Sequence, residues 1–167
     1  EFSDKPWHSK EETSKYTMLQ KSGKAIRFFW VNEVNSVITS PCPEKPWTHL
    51  KKGEMVEIEG LAWSGHGTIK GVDISFDGGD NWVEAKLKGL VLPKSWTRFS
   101  YIIKWEGKPL ILASRSYDDF GNIQPTIDEE TSAVGVESVY HRNAIVTWEI
   151  TNKGECNNVQ IRKHKKA

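Results

Sequence analysis

Met55-Val56-Glu57-Ile58-Glu59-Gly60-Leu61-Ala62-Trp63, followed by Ile69-Lys70-Gly71-Val72-Asp73-Ile74-Ser75-Phe76-Asp77-Gly78-Gly79-Asp80-Asn81-Trp82, decides the fold. In the first run apolar and charged residues partly alternate. A period of two sends successive side chains to opposite faces, so this run reads as a half-buried strand. The second run alternates as well, with Ile69, Val72, Ile74 and Phe76 apolar. Its period slips once at Gly71, which predicts a β-bulge there. Asp77-Gly78-Gly79-Asp80-Asn81 reads as a hairpin turn, because two glycines accept positive φ without steric cost. Residues 82–87 are the predicted return strand.

Outward from this hairpin the same signals recur. Residues 25–31 are aromatic and β-branched, which favours a strand. Residues 37–39 form a second short β segment, closed by Pro41-Cys42-Pro43. Proline cannot donate to a ladder, so residues 41–46 are expected as a loop or an edge. Strands are predicted over 96–105, with Phe99, Tyr101 and Ile103 on one face, over 110–117 and over 144–150. Residues 118–126 read as a loop with Gly121 and Pro125, and 159–161 as a tail strand. The polar segment 1–22 reads as a linker with one helical turn after Ser9, where Glu11 and Glu12 suit a helix N-terminus. The domain is therefore expected over 23–152, with 153–167 as a C-terminal tail. Short strands, frequent turns and almost no helical periodicity indicate an all-β sandwich.

Composition narrows the function. Hydrophobic residues at 37% and charged residues at 27% are ordinary for a soluble globular domain. No apolar run reaches about 18 residues, so no membrane-spanning helix is expected. A net charge of +1 from 23 basic and 22 acidic residues argues against nucleic acid as the main partner. The basic run Arg162-Lys163-His164-Lys165-Lys166 reads as a solvated tail. Cys42 and Cys156 are too few for a disulfide scaffold or a zinc site, and whether they pair stays open. No apolar stretch lies near the N-terminus, so a secretion signal would belong to a longer precursor.

Candidate residues follow from local spacing. Ser75-x-Asp77-x-Gly79-x-x-Trp82 is a turn motif in which an Asp side chain ties the turn and Trp packs over it. Arg115 and Asp118 are expected to form a loop clamp, since a planar guanidinium suits a carboxylate. His66 lies between Gly65 and Gly67, and reads as an exposed turn residue. The five histidines (His8, His49, His66, His141 and His164) show no metal-site spacing. No nucleophile, base and orienter set is legible. Eight Trp, six Phe and four Tyr suggest a flat sandwich core or an interface. An alternative is a secreted carbohydrate-binding or adhesive module that stacks sugars on Trp47, Trp96 and Trp105.

Three ordered stretches carry a family resemblance. They are Gly60-Leu61-Ala62-Trp63-Ser64-Gly65-His66-Gly67 running into the Asp-Gly-Gly hairpin, Ser114-Arg115-Ser116-Tyr117-Asp118-Asp119-Phe120-Gly121-Asn122-Ile123-Gln124-Pro125, and Tyr140-His141-Arg142-Asn143-Ala144-Ile145-Val146-Thr147-Trp148. Together they resemble the dimerisation domain of the molybdenum-cofactor oxidoreductases of the sulfite oxidase family, over about residues 5–152. Lys10-Glu11-Glu12-Thr13-Ser14-Lys15-Tyr16-Thr17 is similar to the SoxC-type sulfite/sulfane dehydrogenase branch.

The resemblance implies an immunoglobulin-like sandwich of the E-set type that joins two protomers. An obligate homodimer interface of this kind buries on the order of 2,000 Å² or more. It further implies a periplasmic parent enzyme whose molybdenum, molybdopterin and metal-ligating cysteine belong to a separate N-terminal domain. Electrons would pass to a c-type cytochrome subunit. On this reading the chain by itself is not an enzyme, holds no cofactor, and engages neither nucleic acid nor membrane. In sulfite oxidases the segment resembling His141-Arg142-Asn143 supplies an arginine to the sulfite pocket. Here Asn143 stands at that position and Arg142 one residue earlier. Neighbouring strand positions face opposite sides. A less cationic pocket would suit a larger or protein-bound sulfur substrate.

Overall fold

The structure is a computed structural model and describes residues 3–5, 7–19, 22, 24–134 and 141–161. In chain order its elements are α1 (Lys10–Ser14), β1 (Thr17–Leu19), β2 (Ala25–Phe28), β3 (Asn35–Ser40), β4 (Glu54–Trp63), β5 (Ile69–Ser75), β6 (Val83–Glu84), β7 (Lys86–Lys88), β8 (Thr97–Trp105), β9 (Leu110–Asp118), α2 (Ile127–Val134), β10 (Thr147–Ile150) and β11 (Cys156–Val159). One sheet has the order β3-β4-β8-β7 and the other β11-β10-β9-β5-β6, while β1 and β2 form a separate ribbon. Adjacent strands pair antiparallel. This is the all-β sandwich that the alternation predicts, in the immunoglobulin-like form that the resemblance implies.

Burial follows the period of two. On β4, Ile58, Gly60 and Ala62 face inward while Met55 and Glu59 face solvent. Ile58 and Phe99 of the first sheet share one core with Val72, Ile74, Leu112 and Ile150 of the second. Each of these side chains contributes about 1.5–3 kcal/mol by leaving water. Gly60 has no room for a side chain. A Cβ there would stand 2.2 Å from Phe99 Cζ and 2.5 Å from the Val37 carbonyl oxygen. The β5–β9 register slips between Ile69 and Gly71, as the sequence period does.

Several expectations are corrected. The return strand over 82–87 splits: β6 pairs with β5, and β7 pairs with β8 of the opposite sheet. The switch is made at Ala85, a small buried residue whose N–H donates to the Val72 carbonyl at 2.8 Å. Strand β2 stops at Phe28 and pairs with β1 rather than joining the sandwich. Strand β10 begins only at Thr147, because the Ile145 N–H is bonded to the Pro125 carbonyl instead of to β9. Residues 156–159 pair with β10, so the sheet extends into the expected tail. The helix α2 was not anticipated. The turn after Ser9 does form α1, capped by reciprocal Ser9 and Glu12 bonds. The basic run 162–166 lies outside the described residues.

Two buried polar groups fasten the end of the sandwich where β3 begins. Gln124 is 1% exposed. Its Oε1 lies 2.6 Å from the Ser36 hydroxyl and accepts the Ser116 N–H at 3.2 Å. Its Nε2 donates to Asn35 Oδ1 at 2.9 Å and to the Ser36 carbonyl at 3.2 Å. Asp118 is also buried. It accepts from the Ser64 hydroxyl at 2.7 Å, the Phe120 N–H at 3.0 Å, and both the backbone and side-chain amides of Asn122. Burial pushes the Asp118 carboxyl up, but the Asn122 and Ser64 side chains and the two backbone N–H groups outweigh it and hold the carboxyl below its usual range. Among the described residues no helix is long and apolar enough to cross a membrane.

Gly60→Ala should destabilise the chain by about 1–3 kcal/mol in urea unfolding, through overpacking against Phe99. Asp118→Asn should cost about 1–2 kcal/mol at pH 7 by removing a charged acceptor. A depressed carboxyl contributes stability that is present above its unfolded pKa of about 3.9 and is lost as pH falls through the folded value. The gap between wild type and Asp118→Asn should therefore close on acidification. A gap that stays constant down to pH 2 would contradict this account.

Candidate functional site

The expected trio lies at the end of the sandwich just described, on the segment that leads into β10. His141 adopts φ +59°, an uncommon conformation for a residue with a side chain. Its ring packs on Phe29 at 4.5 Å and on Tyr16 at 5.5 Å between centroids. Arg142 Nε lies 3.5 Å from Glu130 Oε2 of α2, with the arginine side chain 30% exposed. The Asn143 side chain turns inward and donates to the Val34 carbonyl at 3.0 Å. The backbone N–H groups of Asn143 and Ala144 both donate to Glu130 Oε1, at 2.8 and 3.3 Å.

These residues border a cleft of about 230 Å³ whose other walls include Phe29, Glu33, Trp63 and Trp96. Trp63 and Trp96 pack with centroids 5.0 Å apart. Glu33 is paired with His66, Nε2 to Oε2 at 3.2 Å, so His66 is tied to the corner rather than standing as a bare turn residue. The corner thus gathers an arginine, two imidazoles, two carboxylates and a wall of aromatic rings. It can bind and orient a group through hydrogen bonds and ring contacts.

Arg115 and Asp118 do not clamp each other. Arg115 Nη2 pairs with Asp73 Oδ2 at 2.8 Å, and its guanidinium lies 4.4 Å over the Trp82 ring. The reason is register: Asp73 stands directly across from Arg115 in the β5–β9 pairing. Asp118 is taken by Ser64 and Asn122. In the turn motif, the Ser75 hydroxyl accepts the Gly79 N–H at 2.7 Å, and Asp77 Oδ1 accepts the N–H groups of Asp80 and Asn81 at 2.9 and 3.0 Å. The Trp82 indole N–H donates to the Gly79 carbonyl at 3.1 Å. Gly78 and Gly79 take φ of +76° and +93°. The Asn81 backbone and side chain and the Ser75 hydroxyl hold the Asp77 carboxyl far below its usual range. Each of its bonds is spent within the turn, which gives the motif a structural part here.

The sugar-stacking alternative loses two of its three rings. Trp47 and Trp105 are each 3% exposed and pack on each other in the core, where the density of apolar neighbours holds them. Trp96 remains exposed beside Trp63.

The residues present do not fit a molybdenum–pterin site. Cys156 is buried in the apolar core, and burial together with Cys42 and Glu44 pushes its thiol up to about 11, so it offers no thiolate. Cys42 lies beyond the far end of β3 from Asn35, roughly 20 Å along the strand from the corner. No group of three or more His, Cys, Asp or Glu among the described residues is arranged to hold a metal ion.

Glu130 was the residue that strand-period reading missed. Thr126-Ile127-Asp128-Glu129 carries the signal of a helix start, with the Thr126 N–H donating to Glu129 and the Glu129 N–H to the Thr126 hydroxyl. That signal predicts α2, and α2 presents Glu130 to the corner.

Comparison with known proteins matches this architecture to enzymes of one kind. Rat mitochondrial sulfite oxidase is 36% identical over 99 residues, covering 55% of this chain and 17% of that protein. Chicken sulfite oxidase is 33% identical over 98 residues, covering 55% of this chain and 20% of that protein. The crystal structure of the sulfane dehydrogenase SoxCD from Paracoccus pantotrophus superposes with a TM-score of 0.89 at 46% identity, covering 95% of this chain and 40% of that one. The chain thus spans less than half the length of each of these relatives. Residues 27–148 match the model of the Mo-co oxidoreductase dimerisation domain, which takes in both sheets from β3 to β10 and the corner at 141–143, and the chain belongs to that family.

Proposed function

We propose that this chain is the dimerisation module of a periplasmic, molybdenum-dependent sulfite or sulfane dehydrogenase. The observation that carries the reading is the likeness to SoxCD, at 46% identity over 95% of the chain, within a family named for its molybdenum cofactor and its dimerisation. In the whole enzyme, molybdenum and molybdopterin occupy a separate domain and oxidise a sulfur compound, with electrons leaving to a c-type cytochrome subunit. Two copies of the present domain hold the protomers together. The corner formed by His141, Arg142 and Asn143 borders the substrate site, since binding sites favour domain boundaries. Its part is to orient the substrate: Arg142 offers a planar donor fork, and the aromatic wall excludes water. Neither step requires a nucleophile from this chain.

Sedimentation equilibrium tests the pairing. The chain should sediment at twice its own mass across the micromolar range, and a monomer throughout would sink the dimer. The enzyme assignment is tested on the full-length protein, which should contain molybdenum and oxidise sulfite or sulfane sulfur with cytochrome c as acceptor. Arg142→Lys in that protein keeps the charge beside Glu130 but loses the fork, and should lower kcat/KM by about tenfold. An unaltered kcat/KM would remove the corner from the active site.

A further inference from the structure

Glu130 is 4% exposed, yet its carboxylate serves three groups on the segment opposite. Oε1 accepts the N–H groups of Asn143 and Ala144, and Oε2 faces the Arg142 guanidinium at 3.5 Å. On its other side the same segment is fastened to the residue that leads into β3, through the Asn143 side chain and the Val34 carbonyl. The backbone at 143–144 is therefore clamped between a helix and the approach to a sheet. A buried carboxylate is costly unless it is paired and hydrogen-bonded. Among the described residues Arg142 is the cation that pairs with Glu130.

The pairing also decides what the cleft presents to a ligand. Among the described residues two carboxylates share the corner with the Arg142 guanidinium: Glu130 against it, and Glu33 in the cleft wall, paired with His66. His141 adds a ring stacked on Phe29 and Tyr16. A small oxyanion entering the corner meets no surplus of positive charge.

We propose that Glu130 is the positioning and charge-setting residue of this corner: it aims the 142–144 segment and cancels the charge of Arg142, so that the cleft disfavours small free oxyanions. The consequence for catalysis rests on the corner bordering the substrate site, as proposed above. The electrostatic claim concerns the chain itself and is tested on it. Glu130→Gln keeps an acceptor oxygen of the same size for the Asn143 and Ala144 N–H groups and puts a neutral NH2 where the charged oxygen faces Arg142.

Sulfate serves as a redox-inert oxyanion probe, titrated into the 167-residue chain and followed through the Arg142 Nε–H and the Asn143 and Ala144 amide resonances. Glu130→Gln should bind sulfate about tenfold more tightly than wild type, the effect of one unit charge removed at several ångströms. The gain should vanish in the Glu130→Gln, Arg142→Gln double variant. Loss of stability alone would not tighten binding. Equal affinity in wild type and Glu130→Gln, or a gain that persists without Arg142, overturns the proposal. Should Glu130→Gln fail to fold, the wild-type titration decides: sulfate should leave the Arg142 Nε–H resonance in place, and a shift of that resonance at low millimolar sulfate overturns the proposal. Failure here leaves the enzyme assignment standing, because that assignment is read from metal content, turnover and the Arg142→Lys effect in the full-length protein.

Discussion

The carboxamide of Gln124 is the interaction on which the working end of this molecule depends. An amide has two acceptor sites and two donors, and here both sides are engaged within the core. Its partners come from both sheets: Asn35 and Ser36 lie on β3, and Ser116 on β9. A bond between sheets in a low-dielectric core is worth more than its counterpart at the surface, and costs more to leave half-made. Gln124 therefore fixes where the chain leaves β9. Pro125 and Thr126 follow directly, so the start of α2 and the position of Glu130 are set from the same point. Trp148 adds a second tie, its indole N–H reaching the Ile38 carbonyl across the two sheets.

What the sequence makes legible is what depends on short-range periodicity. The alternation along β4 and β5, the slip at Gly71 and the Asp-Gly-Gly turn are all properties of neighbours, and they appear in the structure where the residues put them. The departures share a different cause. Arg115 pairs with Asp73, not Asp118, because antiparallel register brings residues 42 positions apart face to face. No spacing rule over three or four residues contains that information. The sheet switch at Ala85 is likewise invisible in a run that reads as one strand. The helix α2 lies between these cases. Its capping signal was present in Thr126 and Glu129, but eight residues without a clear apolar stripe do not stand out among strands.

The corner takes its chemistry from the partners of single side chains. The Asn143 side chain is committed to the Val34 carbonyl. Arg142, the neighbouring cation, points to the helix and meets a buried carboxylate there. The resemblance at the level of motifs is close, with 46% identity to SoxCD across nearly the whole chain. Local resemblance reports the scaffold, while the partners of single side chains report the ligand.

The division of the return strand into two short pieces has a consequence for solubility. β6 ends one sheet with two residues and β7 ends the other with three, two of which are Lys86 and Lys88. A margin so short exposes few free backbone donors and acceptors for a stray polypeptide to copy, and lysines raise the cost of approach. On this side the molecule resists growth into fibrils by strand stacking. On the proposed reading, a domain that adheres to its own copy through one surface is thereby kept from polymerising through another.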